Sequence, residues 1–307
     1  MDVPTVRPVK AGWWNVLRPW TLHGAVVPVL IGGAVAMTVI EPEWIDAIVF
    51  ALIMLGSCLF QCVANILNTY GDFVKGTDTV ENETRSPELV TGVLKPKDVL
   101  MTGMVCLFII CIIGIVLMFH VGIGLMVYGL LGIFGVTMYT MGASYKYHGM
   151  GQISVFINFG ILMPMGTYYV LTGDFFSMDV LLLSLPNAFM ITGVLAGNEL
   201  RDYYEDKKTD VGTLIGRMSY EDGVRLYLFE SLISFPILII LMVTGMAPLT
   251  CAIAFLTLYD AYILYANSKR APKDGHSSFM LVPLCFKLNW HFGVLMVAGY
   301  LIWIFIP

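Results

Sequence analysis

The sequence predicts an all-α, polytopic membrane protein: nine transmembrane helices around a central cavity capped by cytoplasmic loops. Three observations carry that expectation. The 307 residues are 58% hydrophobic and only 13% charged, with a mean hydropathy of +0.79, a balance foreign to water-soluble domains. Apolar runs of about 18 to 25 residues recur, each able to cross roughly 30 Å of hydrocarbon as a helix. Extended strand-like alternation is missing, and an open sheet in lipid would leave its edge groups unsatisfied.

The expected spans are 21–40, 47–67, 99–119, 122–142, 151–171, 179–197, 225–245, 247–266 and 287–306. Polar segments set their limits. Arg7, Lys10 and Arg18 precede the first span, and Met1–Lys10 lacks a cleavable hydrophobic core, so no signal peptide is expected. Glu41, Glu43 and Asp46 divide the first span from the second; Lys75, Arg85, Lys95 and Lys97 divide the second from the third. Lys146 falls between the fourth and fifth, and Asp174 and Asp179 between the fifth and sixth. Arg201, Lys207, Lys208, Arg217 and Arg225 follow the sixth; Lys269, Arg270, Lys273 and Lys287 separate the last two. With nine spans all 17 Lys and Arg share one face, which the positive-inside rule assigns to the cytoplasm, leaving Pro307 on the opposite side. The net charge of −5 averages two unlike faces and says little.

The six cysteines (58, 62, 106, 111, 251 and 285) lie in or beside apolar runs with no C-x-x-C, and read as packing residues. Loops 68–98 and 198–224 hold most of the polar content, each directly after an apolar helix. Four spans separate them, so both face one side, and the arrangement reads as a weak internal repeat of two halves. A single domain, 1–307, is expected; nothing in the chain calls for nucleic acid.

Each of the two loops opens with Asn-x-x-x-Asp: Asn68–Asp72, with Asp78 following, and Asn198–Asp202, with Asp206 following. Spacing by four stacks Asn198, Asp202 and Asp206 along one helix face, about 6 Å apart per step. Lys75-Gly76 ends the first motif's helix before Asp78. Carboxylates near hydrocarbon are costly, and a lone D-x-x-x-D is ordinarily solvated surface. Two on one face, each preceded by Asn, point instead to Mg²⁺, a hard ion that shares phosphate oxygens with carboxylate and amide ligands. A diphosphate held between metal ions fits, with Lys75, Arg85, Lys146 and Arg201 as further phosphate contacts.

At this point the chain resembles the UbiA-type intramembrane prenyltransferases, whose two Asp-rich motifs bind a polyprenyl diphosphate through Mg²⁺. Four stretches carry the likeness: Leu17-Arg-Pro-Trp-Thr-Leu22; Asn68-Thr-Tyr-Gly-Asp-Phe-Val-Lys-Gly-Thr-Asp78; Gly149-Met-Gly-Gln-Ile-Ser-Val-Phe156 leading to Gly166-Thr-Tyr-Tyr-Val-Leu-Thr-Gly173; and Asn198-Glu-Leu-Arg-Asp-Tyr-Tyr-Glu-Asp206 with Gly212-Thr-Leu214 and Arg217. The wording is most similar to the 1,4-dihydroxy-2-naphthoate polyprenyltransferases of menaquinone synthesis. Departures are Thr69 where many relatives have Asp, Glu199 where Asn or Asp is frequent, and Val211-Gly-Thr-Leu214 where a Gly-Lys-x-Thr-Leu run is common. The Thr69 form is also similar to the animal menaquinone-forming branch.

The resemblance implies a reaction and a site. Asp72, Asp78, Asp202 and Asp206, assisted by Asn68 and Asn198, hold Mg²⁺ on the diphosphate; Asn68, Lys75, Arg85, Lys146, Asn198 and Arg201 contact the diphosphate itself. Asp72, Asp202 and Lys146 are the expected catalytic residues. Tyr139, Tyr145 and Tyr147 are placed by loop position near the allylic cation, whose charge an aromatic face can shield. The acceptor implied is 1,4-dihydroxy-2-naphthoate, losing CO₂. Hydroxybenzoate or homogentisate are other acceptors to weigh, and a cation-coupled transporter or a CDP-alcohol phosphotransferase are rivals of other classes. A transporter's acids belong at mid-membrane, and the single compact Asp/Gly/Ala/Arg signature of the phosphotransferases is not found. Asp260 is expected to be paired structurally, Gln61, Asn158 and Asn187 to bond between helices, and Pro164, Pro186 and Pro236 to kink them.

Overall fold

The computed structural model describes residues 11–78, 87–208 and 211–306, and all regular structure among them is helical. A short α1 (Trp13–Leu17) leads into α2 (His23–Ala36), followed by α3 (Trp44–Val74), the short α4 (Pro87–Val90), α5 (Pro96–Val121) and α6 (Leu125–Thr140). Helices α7 (Gly151–Ile157) and α8 (Met163–Thr172) are joined by a π-helical turn over Asn158–Leu162 and form one span. Then come α9 (Met178–Arg201), α10 (Tyr203–Lys208), α11 (Tyr220–Leu232), α12 (Ser234–Val243), α13 (Leu258–Ser268) after a 3₁₀ stretch Leu249–Thr257, and α14 (Gly275–Phe305).

Among the described residues eight helical segments are long and apolar enough to cross a membrane. The expected fourth span is α6, whose 16 residues make a rod of about 24 Å, somewhat short of a bilayer core. The ends of the helices fall where polar side chains can satisfy free backbone groups. Ser177 accepts from the Val180 N–H at the start of α9, Ser219 from Asp222 at α11, and Asp274 from His276 and Ser277 at α14. Glu43 and Asp46 form a reciprocal capping box on α3. That helix has 31 residues, about 46 Å, longer than a bilayer core requires, and its last turns carry Asn68 and Asp72.

One expected boundary is wrong. The last span begins at Gly275, not near 287, so Lys287 lies inside α14 rather than in a loop. It remains there because its charge is matched: Lys287 Nζ sits 2.9 Å from Asp260 Oδ1 on α13, and His291 Nδ1 lies 2.6 Å from Oδ2. Asp260 thus has the paired role expected of it.

The core centres on α9. In the most apolar window of α9, 72% of residues are buried, against 17% for α5, whose Phe108, Ile112, Ile115 and Phe119 face outward as a lipid-facing surface does. Close crossings depend on glycine: a Cβ at Gly32 of α2 would lie 2.3 Å from the Pro164 carbonyl oxygen of α8, and one at Gly160 would lie 2.3 Å from the Cβ of Ala188. The first crossing seats α2 on α8, and the second seats the π-helical turn after α7 on α9.

Candidate active site

The first motif is shaped by the end of α3. Gly76 takes φ +72°, and the N–H groups of Thr77 and Asp78 turn back to the Asp72 carbonyl at 2.9 and 3.4 Å. Asp78 is thereby folded in below Asp72, and both are buried. Across from them the chain leaving α6 makes a tight turn, Tyr145–His148, bracketed by Ser144 (φ 53°) and Gly149 (φ 74°) in the left-handed region. The turn points two side chains at one carboxylate. Lys146 Nζ lies 2.6 Å from Asp72 Oδ2 and 3.4 Å from Asn68 Oδ1, while the Tyr147 hydroxyl donates to Asp72 Oδ1 at 2.7 Å. Thr140 donates to Asn68 Oδ1, and Thr77 Oγ1 lies 2.9 Å from the Tyr147 hydroxyl. Lys75 bonds Ser144 Oγ and stands 4.0 Å over the Tyr147 ring. Burial, reinforced by the Asp72 charge, pushes the Tyr147 phenol well above its ordinary value; burial pulls the Lys75 ammonium down.

The second motif departs from the straight stack its spacing suggests. α9 ends at Arg201, Asp202 is its C-cap (φ −95°, ψ 4°), and the chain re-enters a helix at Tyr203. Asn198 therefore belongs to one helix and Asp206 to the next, with Asp202 at the corner. The Asp206 N–H bonds the Asp202 carbonyl at 2.9 Å and its carboxylate is buried. Arg201 grips both oxygens of Asp202, through Nε and Nη2 at 2.9 Å each. Asn198 donates to the Val194 carbonyl at 3.3 Å, leaving its oxygen as the group a cation could use.

The two motifs meet at one end of the bundle. Tyr139 stands within electrostatic reach of Asp72 from the first and Glu199 and Asp206 from the second. Lys146, bonded to Asp72, acts on Glu199. The loop after the second motif packs on the turn serving the first: a Cβ at Gly212 would lie 2.5 Å from the Tyr147 carbonyl oxygen. Tyr145 goes elsewhere and packs on Phe134, ring centroids 6.0 Å apart. Arg85 lies outside the described residues.

Sequence reasoning gave Arg18 no role beyond its charge, yet it belongs to this cluster. It is half-buried, donates to Thr69 Oγ1 at 3.5 Å, and lies within electrostatic reach of Asp72, Asp78 and Arg201. Its backbone holds φ 49°, a conformation costing roughly 1–3 kcal/mol that persists at functional sites. The signal was a cation directly before Pro19 at the mouth of the first span.

The donor chemistry suits a hard divalent cation. Carboxylates and amide oxygens are the ligands Mg²⁺ takes, one or two per ion with substrate phosphate completing the shell. Among the described residues no three His, Cys, Asp or Glu side chains are gathered into a metal cage, and a metal shared with a diphosphate needs none.

The sequence matches the model of the UbiA prenyltransferase family over residues 25–292. The chain belongs to the UbiA prenyltransferase family. It is 30% identical to the 1,4-dihydroxy-2-naphthoate octaprenyltransferase of Bacillus subtilis over 80% of this chain and 78% of that protein. It is also 28% identical to the human UbiA prenyltransferase domain-containing protein 1, over 83% of this chain and 74% of that one. Among solved structures, a UbiA homolog from Archaeoglobus fulgidus bound to DMAPP and Mg²⁺ shares the fold, with a TM-score of 0.61 at 15% identity, covering 93% of this chain and 98% of that one. Integral membrane residence and the UbiA fold, expected from the sequence, follow from these matches and from the eight helices among the described residues that are long and apolar enough to cross a membrane.

Proposed function

We propose that this UbiA-family protein transfers a polyprenyl group from polyprenyl diphosphate to 1,4-dihydroxy-2-naphthoate, with loss of CO₂ and release of pyrophosphate. The naphthoate acceptor is favoured by the likeness to the Bacillus subtilis enzyme and by a similar likeness (31% identity over 69% of this chain) to the Haemophilus influenzae one. The observation that carries the reading is the Asp72–Lys146–Tyr147 constellation with Tyr139 in reach of both acidic motifs.

Asp72, Asp78, Asp202 and Asp206, with the Asn68 and Asn198 oxygens, are the residues to hold Mg²⁺. The ion supplies neutralisation of the phosphate charge that builds as the leaving group departs. Lys146 and Lys75 stand on the first-motif side, and Arg18 and Arg201 add further cations for the diphosphate oxygens. The C1–O bond of the allylic diphosphate breaks and its electron pair leaves with pyrophosphate. The naphthoate carbon attacks C1, and loss of CO₂ returns an electron pair to the ring. Tyr139 offers a π face toward the cation from between the motifs, Tyr147 serves by orienting Asp72, and Tyr145 packs instead on Phe134. The prenyl tail lies among the helices beside lipid, and the motifs face the cytoplasm.

The test is a membrane assay with radiolabelled prenyl diphosphate and a panel of aromatic acceptors, with and without EDTA. Mg²⁺-dependent prenylation of dihydroxynaphthoate is expected. Turnover of hydroxybenzoate or homogentisate in its place moves the acceptor, and transfer unaffected by EDTA removes the metal from the reading.

A further inference from the structure

We propose that Glu199 is a positioning residue that holds the two acidic motifs in register. It sits beside Asn198 in α9 and is only 5% exposed. A buried carboxylate must be matched by donors, and here two converge on one oxygen: Gln152 Nε2 at 3.0 Å and the Ile215 N–H at 3.1 Å reach Oε2. Those donors come from separate parts of the site. Gln152 is in the first turn of α7, directly after the turn carrying Lys146 and Tyr147; the Met150 N–H, bonded to the Tyr145 carbonyl at 3.1 Å, ties that turn to the helix start. A Cβ at the neighbouring Gly151 would stand 3.5 Å from the Tyr139 hydroxyl, so the same helix start abuts Tyr139. Ile215 follows the second motif's loop, whose Gly212 packs on the Tyr147 carbonyl. Glu199 therefore ties α9, the start of α7 behind the Lys146 turn, and the segment after the second motif together. Asp72, bonded to that turn, and Asp202, one turn beyond Glu199, keep their separation through it.

This assignment deepens the prenyl-transfer reading, and its test has one arm that does not depend on it. Amide hydrogen exchange across 211–217, the Ile215 N–H above all, reports on the clamp directly. Glu199→Ala is expected to speed that exchange and to lower kcat/KM for the diphosphate by about 10–100-fold, as loss of an outer-shell partner does. Glu199→Gln keeps an oxygen that accepts from both donors, so it restores slow exchange and recovers most of the loss in kcat/KM. Gln152→Ala lowers kcat/KM in the same direction, and adding it to Glu199→Ala costs less than the product of the two separate losses. Unchanged exchange in Glu199→Ala overturns the proposal, as does a Glu199→Gln enzyme as impaired as Glu199→Ala. Should the wild type transfer no prenyl group at all, the exchange arm alone decides, and the failure then belongs to the reaction and not to the clamp.

Discussion

Asp72 shows how much one position is asked to do. Both its oxygens are already bonded, one to an ammonium and one to a phenol, which fixes the carboxylate's direction before any substrate arrives. Replacing Lys146 with Ala removes the shorter of these contacts and a cation for the diphosphate oxygens. A drop of about 10²–10³-fold in kcat is expected, with folding retained, and steady-state kinetics on purified protein check it. Tyr147 makes a separate point. Its raised pKa means that the folded state holds the phenolic proton where the unfolded chain has lost it; stability from this bond is complete below the ordinary tyrosine value and falls as pH rises above it. The ultraviolet difference spectrum between wild type and Tyr147→Phe should accordingly lack a tyrosinate step near the ordinary pKa of 10. A clear step there contradicts the buried bond to Asp72.

Helix ends decide what sequence can tell about elements. The spans were legible because a bilayer demands one thing of every residue along about 30 Å, and each acidic motif was legible from its spacing. What spacing could not convey is the break at Asp202: a D-x-x-x-D pattern reads as one helix, whereas the Asp202 backbone (φ −95°, ψ 4°) ends α9 between its members. Lys287 misled for the opposite reason, since a cation in an apolar run reads as a loop until its partner on another helix is known. Arg18 was hidden by distance in sequence from every group it serves. Packing between elements is also testable. Gly32→Ala places a Cβ against a backbone carbonyl that has no rotamer with which to yield, and thermal denaturation in detergent should show a loss of about 1–3 kcal/mol. Gly114→Ala on α5, where nothing lies near the added carbon, should be neutral in the same assay.

At the scale of the molecule, the proposed function puts the acidic motifs on the cytoplasmic side of the membrane. Single cysteines at Glu43 and at Lys269, in a background lacking the six native thiols, should label with a membrane-impermeant reagent from opposite sides of sealed spheroplasts: position 43 from outside, position 269 only after lysis. The arrangement also explains why diphosphate chemistry is housed in a membrane. On the proposed function, the long-chain substrate would keep its tail in lipid while its headgroup reaches the charged groups of the two motifs. The claim beneath all of this is that both motifs act on one ligand. It is met most directly by titrating a non-hydrolysable prenyl diphosphate analogue, with Mg²⁺ present, into wild type, Asp72→Ala, Asp202→Ala and the double variant. One shared ligand predicts that each single change weakens binding by at least about 10-fold and that the double change adds far less than the product of the two. Wild-type affinity in either single variant, or losses that simply multiply, would mean that the motifs work apart.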